Sequence, residues 1–324
     1  MGVKNLWDII ESCKKTIPLH HLQNKRVSID LSCWMVQLQN VNKSHCSLKD
    51  KLYIKGLFHR LRALIALNCT LIFVTDGSIP AIKLSTYRRR LKSGTETLQD
   101  EINLNNTSSL RRNMGSEFSC MIKEAKLLGM ALEVPCLDGV EEAEAQCALL
   151  NSESLCDGCF TSDSDVFLFG ARTVYRDICL GEGGFVVCYE MADIERELGF
   201  GRNSLITLSV LLGSDYSPGV RGLGPESACR IVESIGDKGV LQRIALEGLS
   251  FARKGSRKQG CSRRCNHKEN ESDRQLNING SERDLQGEKH FQQVVGAYLK
   301  PKCHSADSEA VHGSNIKEQR CSKS

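Results

Sequence analysis

Long apolar runs are missing from this chain of 324 residues. Its longest charge-free stretch, Ala63 to Thr75, falls short of the ~20 residues that a membrane-spanning helix needs. The start, Met1-Gly2-Val3-Lys4-Asn5-Leu6-Trp7-Asp8, puts polar and charged residues where a secretory signal carries its apolar core. Leu6 stands where N-myristoylation requires Ser or Thr. A strong charge of either sign is missing too: 43 Lys and Arg against 39 Asp and Glu leave +4, so placement of charge matters more than its total. An intracellular, soluble protein with reduced thiols and no membrane partner is therefore expected. The sixteen cysteines also lack the pairing of a zinc module. Cys156-Asp157-Gly158-Cys159 has no second pair at finger spacing, and Cys261, Cys265 and His267 stand far off in a polar tail. Most of these thiols are expected to serve as small buried hydrophobes.

What is present is ordinary globular usage, 40% hydrophobic and 25% charged, with length for one large domain or two modest ones. The central stretch is Cys159-Phe160-Thr161-Ser162-Asp163-Ser164-Asp165-Val166-Phe167. In extended backbone, residues two apart point to one side, which would bring both carboxylates together. Like charges that close repel unless a cation lies between them. An isolated pair of this kind is ordinarily just a polar turn, so other acids have to decide. Val27-Ser28-Ile29-Asp30 reads as a short strand ending on Asp30, and Cys69 to Asp76 as a buried parallel strand ending on Asp76. Ala131 to Val134 reads as a third strand, and Thr173–Asp177 and Gly184–Tyr189 as two more. Lys51 to Asn68 carries apolar residues at helical spacing.

Further acids follow the same plan. The Ala-rich helix after Asp138 opens with Glu141, Glu142 and Glu144, where capping of the helix dipole competes with chemistry. Periodicity pairs Glu141 with Glu144 and does not place Glu142 with Glu144. Val210-Leu211-Leu212-Gly213-Ser214-Asp215 ends another apolar segment on an acid. In open α/β sheets the carboxyl ends of strands are where ligands bind. Lys83, Arg88, Arg89, Arg90 and Lys92 follow Asp76; they fit either a solvated helix face or a grip on phosphates. Residues 93–116 read as a loop. Gly219, Gly222 and Gly224 precede a helix, where glycine lets backbone N–H groups approach a phosphate or merely turns a corner. Past Phe251, basic residues scattered among Gly, Ser, Gln and Asn read as a disordered segment suited to nuclear import or nucleic-acid contact, and Phe291 to Leu299 regains some helical character. So many acids in one cleft call for metal, and two divalent ions would serve hydrolysis of a phosphodiester.

Met1-Gly2-Val3, Val27-Ser28-Ile29-Asp30, Val74-Thr75-Asp76-Gly77, Glu142-Ala143-Glu144-Ala145, Asp163-Ser164-Asp165 and Leu211-Leu212-Gly213-Ser214-Asp215-Tyr216 resemble, in this order, the XPG/flap endonuclease family. Trp7-Asp8, Leu31-Ser32-Cys33-Trp34 and Arg172 to Glu190 resemble its GEN-type branch. The resemblance implies a PIN-like α/β fold: a mostly parallel central sheet flanked by helices, a helical arch and a helix–two-turn–helix element. It implies a nuclease domain over 1–245, with an N-terminal region 1–95, an arch 80–128, an internal region 129–205 and the helical element 206–245. A largely disordered basic tail would occupy 246–324. The implied metal ligands are Asp30, Asp76, Glu142, Glu144, Asp163, Asp165 and Asp215, holding two Mg2+ ions for which Mn2+ can substitute. Lys83 and Arg90 would steer the scissile phosphate, helped by Arg88 and Arg89. Gly2 would lie near the site, and Gly219, Gly222 and Gly224 would grip duplex backbone with a K+ ion.

The implied activity is magnesium-dependent cleavage of 5′ flaps, single-strand/duplex boundaries and Holliday junctions in nuclear DNA repair and recombination, with a homodimer on four-way junctions. The short spacer between Asp76 and Glu142 excludes the long-insert repair branch. The tail has no sliding-clamp peptide, which disfavours the replicative flap branch. GEN-type proteins continue beyond this length, so a shortened product is expected, and a weakly active or inactive binder of branched DNA is the alternative.

Overall fold

The computed structural model describes residues 2–42, 51–84, 86, 107–247 and 290–313. Its strands are β1 (Lys15–Pro18), β2 (Arg26–Asp30), β3 (Thr70–Thr75), β4 (Cys136–Asp138), β5 (Gly158–Phe160), β6 (Thr173–Cys179) and β7 (Phe185–Glu190). They form one sheet in the order β1-β7-β6-β5-β2-β3-β4. The pairings from β6 through β5, β2 and β3 to β4 are parallel; β6–β7 and β7–β1 are antiparallel. The sheet is thus mostly parallel, as expected, with an antiparallel edge.

Around it lie α1 (Leu6–Ile9), α2 (Leu31–Asn42), α3 (Leu52–Ala66), α4 (Thr107–Ala131), α5 (Ala143–Ser152), α6 (Asp165–Leu168), α7 (Met191–Leu198), α8 (Arg202–Leu212), α9 (Pro225–Ile235) and α10 (Asp237–Glu247). A further helix, α11, spans 290–299. Side chains alternate across the sheet, as period two demands. Ile29, Phe73, Phe160 and Tyr175 pack with Trp34, Leu57, Leu61 and Met121 on one face. Ile72, Val74, Cys159 and Val174 pack with Leu6, Ala148, Phe167 and Leu208 on the other. Both faces are covered, which is why β3 reads as an unbroken apolar run.

Several expectations need correction. The expected strand at Ala131–Val134 is the end of α4 and its turn, with Glu133 in left-handed backbone at φ 57, and the strand is Cys136–Asp138. The loop expected to reach residue 116 is already helical from Thr107. The tail expected from 246 is not all loose: α11 and the segment after it pack on the core through Phe291, Val294, Tyr298 and Val311. Cys156 and Cys159 are buried core thiols, Cys159 Sγ lying 3.2 Å from the Cys147 carbonyl. Cys261, Cys265 and His267 lie outside the described residues. Among the described residues, no helix is long and apolar enough to cross a membrane.

Candidate active site

From β2 the chain runs outward to β3 and β4, then returns to lay β5 on the other side of β2. That reversal opens a crevice at the carboxyl ends of β2 and β5, where an α/β sheet binds its ligand. Asp30 ends β2, and its Oδ1 accepts the Cys33 N–H in the first turn of α2 at 3.0 Å. Its Oδ2 accepts the Thr161 hydroxyl at 2.8 Å, and Thr161 Oγ1 in turn accepts the Asp163 N–H at 3.1 Å. One threonine therefore couples the two sides of the crevice.

Asp163 and Asp165 do not share an extended strand, contrary to expectation. Asp163 lies between β5 and α6, and Asp165 is the first residue of α6. They still meet, because the Asp165 N–H donates to Asp163 Oδ1 at 3.0 Å. Glu142 lies just outside α5, at its N-cap, and Glu144 lies in the first turn. Helical periodicity could not pair them for that reason. Both are buried, whereas Glu141 turns outward to an ion pair with Lys302 at 2.8 Å.

Asp215 follows α8, buried at 3% exposure, with Oδ2 3.1 Å from Lys83 Nζ. The Lys83 ammonium also donates to Glu142, as does the Tyr216 hydroxyl. Asp76 faces solvent at the rim, where it accepts the Ser32 hydroxyl at 2.7 Å and the Ala143 N–H at 3.0 Å. It thereby ties the start of α2 to that of α5, an anion at a helix N-terminus.

Gly2 closes the other wall with φ +85, and a Cβ there would stand 2.3 Å from Asp163 Oδ1. The next residue, Val3, donates its N–H to Ser164 Oγ at 3.0 Å. Gly219, Gly222 and Gly224 lie in the turn beyond the acids. Val220 N–H caps the Leu211 carbonyl at 2.8 Å, Gly222 is exposed, and Gly224 is the N-cap of α9. Arg88, Arg89 and Arg90 lie outside the described residues.

Electrostatics bind these acids into one unit. Burial, then the Asp76 charge, pushes the Asp30 carboxyl up to about 7. Burial also raises Glu144, and the charges of Glu142, Asp163 and Asp30 add to it. Asp165 is raised by burial and then by Asp163, Glu142 and Asp215. Glu142 and Asp163 shift upward, again chiefly through burial. For Lys83 burial acts downward, but Glu144, Glu142 and Asp215 outweigh it and hold its ammonium above the ordinary lysine value.

Among the described residues, no group of three or more His, Cys, Asp or Glu side chains stands ready to hold one ion. The chemistry of the donor set nevertheless fits a hard divalent cation. Every donor is a carboxylate oxygen, the acids repel one another, and Asp165 Oδ1 is buried without a hydrogen-bond partner. A pocket of about 540 Å³ adjoins the site, lined by Glu142, Tyr216, Pro80, Gln293, Lys300 and Lys302.

The same residues fall within two recognised sequence regions. Residues 1–97 match the XPG N-terminal domain, and residues 133–215 match the XPG I-region, together more than half of the chain. The chain belongs to the XPG family. Asp30, Asp76 and Lys83 come from the first region of the family, and Glu142 through Asp215 from the second. Over 313 residues the chain is 61% identical to Single-strand DNA endonuclease 1 of Arabidopsis thaliana, covering 96% of this chain and 52% of that protein. It spans about half the length of the curated plant relatives it matches. Human GEN1 in complex with Holliday junction DNA is similar at TM-score 0.67 and 29% identity, over 95% of this chain and 68% of that one. The catalytic core of Rad2 in complex with DNA substrate is similar at TM-score 0.65 and 27% identity, over 94% and 88% respectively.

Sequence reasoning assigned no role to Tyr216, Thr161, Ser32 or Tyr298, all of which touch the acids. Tyr216 directly follows Asp215, so adjacency was a usable signal. For Tyr298 the only signal was the helical pattern of Phe291 to Leu299.

Proposed function

We propose that the protein is a structure-selective DNA endonuclease, hydrolysing phosphodiesters near the branch points of 5′ flaps, single-strand/duplex boundaries and four-way junctions. The observation that carries this reading is the buried cluster of Asp30, Glu142, Glu144, Asp163, Asp165 and Asp215 with Lys83 beside it. Asp76 joins them from the rim. These carboxylates would hold two divalent ions, Mg2+ or Mn2+, and Asp165 Oδ1 is the atom with most to gain. When bound, such ions supply an activated water and stabilise the leaving oxygen of a phosphodiester. Lys83, which pairs with Glu142 and Asp215 here, would be available to the scissile phosphate once those carboxylates held a cation, together with Arg88, Arg89 and Arg90. Gly2 lets the N-terminal backbone approach Asp163 and Asp165 more closely than a residue with a Cβ could. The turn of Gly219, Gly222 and Gly224 would orient the duplex by its backbone N–H groups and could hold a K+ ion there.

The relatives' names support DNA as the substrate: one is a single-strand DNA endonuclease, and GEN1 and Rad2 are described with DNA bound. Nuclear repair and recombination, and a homodimer on four-way junctions, complete the proposal. Asp30→Ala and Asp163→Ala are expected to abolish Mg2+-dependent cleavage of flap, single-stranded and four-way substrates, while branched-DNA binding in Ca2+ persists. Cleavage by both variants at the wild-type rate would refute the assignment. The second reading is a binder of branched DNA with little cleavage of its own, and the same substrate panel separates the two. Wild-type protein that binds the panel but cuts none of it would establish that instead.

A further inference from the structure

Helix α11 lies outside both XPG-matched regions, and the chain reaches it only after residues 248–289. Its Tyr298 is fully buried. The ring packs edge-on against Tyr216 at 4.8 Å and tilted against Phe169 at 5.3 Å. Arg202 holds the helix in place: one guanidinium nitrogen donates to the Tyr298 carbonyl at 2.8 Å, and another to Leu168, the last residue of α6, at 2.6 Å. Arg202 thus ties the backbone at Tyr298 to the helix that Asp165 opens. It donates to Asp165 Oδ2 at 3.1 Å and lies 3.1 Å from Ser214 Oγ, next to Asp215.

A buried tyrosine normally finds some partner, and a backbone carbonyl would serve. Here the partner is one oxygen of an acid whose other oxygen, Oδ1, is buried and unpartnered among the described residues. Anchoring Oδ2 restrains the carboxylate and leaves Oδ1 unpartnered beside Gly2, where a Cβ would stand 3.0 Å from it. That is the division of labour of a ligating carboxylate with an outer-shell hydrogen bond. We infer that Tyr298 is a positioning residue that orients Asp165 toward a divalent cation, making residues 290–304 part of the active unit. The inference rests on the metal site proposed above.

Three proteins separate the two claims: wild type, Asp165→Asn and Tyr298→Phe, each as the full chain. Mn2+ binding is followed by calorimetry, and cleavage of a flap substrate as a function of Mg2+. Tyr298→Phe keeps the ring and its packing and removes one hydroxyl. It is expected to weaken Mn2+ binding by roughly 10–100-fold, the usual cost of losing an outer-shell partner. The Mg2+ concentration for half-maximal cleavage should rise in parallel, with kcat at saturating Mg2+ close to wild type. A lowered Tm with unchanged Mn2+ affinity would mean that Tyr298 only packs, and would overturn the inference while leaving the metal site standing. Wild type that binds no Mn2+, or Asp165→Asn that binds like wild type, would overturn both. If Tyr298→Phe does not fold, Tyr298→Met replaces it: the flexible thioether side chain fills the ring's space without a hydroxyl, and unchanged Mn2+ affinity in it would likewise overturn the inference.

Discussion

Asp30 shows how one buried acid makes stability depend on pH in the direction opposite to most surface carboxylates. Its pKa of about 7 in the folded chain lies above the value near 3.9 of an exposed aspartate. Between those values the folded state binds the proton and the unfolded state does not, so stability falls as pH rises. The contribution is fully present below about pH 4 and lost as pH passes 7. Glu124 and Asp138, lowered first by hydrogen bonds from Lys51 and Lys126, pull the other way: what they contribute is lost as pH falls. A comparison with Asp30→Asn removes those common terms. In chelator, the Tm of wild type relative to Asp30→Asn is expected to fall steadily from pH 4 to pH 7, and Mn2+ to restore it at pH 7. Parallel Tm curves for the two proteins would show that Asp30 is not held protonated by its surroundings.

The site is assembled where elements end, and the junction of β3 with β4 has the tightest tolerance. Beyond the last β3 residue, Gly77 N–H donates to the Glu141 carbonyl at 2.7 Å and Ser78 N–H to the Val140 carbonyl at 3.0 Å. A Cβ on Gly77 would stand 2.1 Å from the Gly139 carbonyl oxygen and 2.5 Å from that of Val140, both backbone atoms that cannot swing aside. Gly77→Ala is therefore expected to cost about 1–3 kcal/mol, the usual range for overpacking, and to displace Asp76 and Glu142 together. Urea unfolding measures the first effect and Mn2+ affinity the second; an Ala variant matching wild type in both would contradict this geometry. Such junctions also mark where the sequence could and could not be read. The apolar runs of β2 and β3 end visibly on Asp30 and Asp76, so their acids were legible. β4 has three residues, too few to show a period, and the neighbouring Ala131–Val134 imitated a strand better. Strand β1 is a four-residue edge with little burial and no alternation. Glu142 escaped helical logic because an N-cap residue lies outside the helix whose period was being counted.

Over the whole molecule, the segment 290–304 straps the acid-bearing elements to one another. Arg202 joins it to α6 and α8, and Lys302 reaches Glu141 beside the start of α5. The Gln146 amide, on α5, donates to the His304 carbonyl at 3.1 Å and accepts the His304 N–H at 2.7 Å, a paired contact like that between strands. The His304 ring stands 3.0 Å from the Asp138 carbonyl at the end of β4. None of this has a local signature: Tyr298 and Asp165 are 133 residues apart, and no period or motif connects them. Gln146 is fully buried, so Gln146→Ala removes both hydrogen bonds and leaves the His304 backbone without its partners. Hydrogen exchange should then quicken at residues 300–306 while β2, β3 and β5 stay protected, because those strands are held by the sheet and its two cores. Faster exchange across the whole sheet would mean that Gln146 supports the core itself and that the strap adds nothing of its own. Exchange confined to the strap, together with weaker Mn2+ binding, would show that the carboxyl-edge acids take their arrangement partly from a segment far outside the sheet.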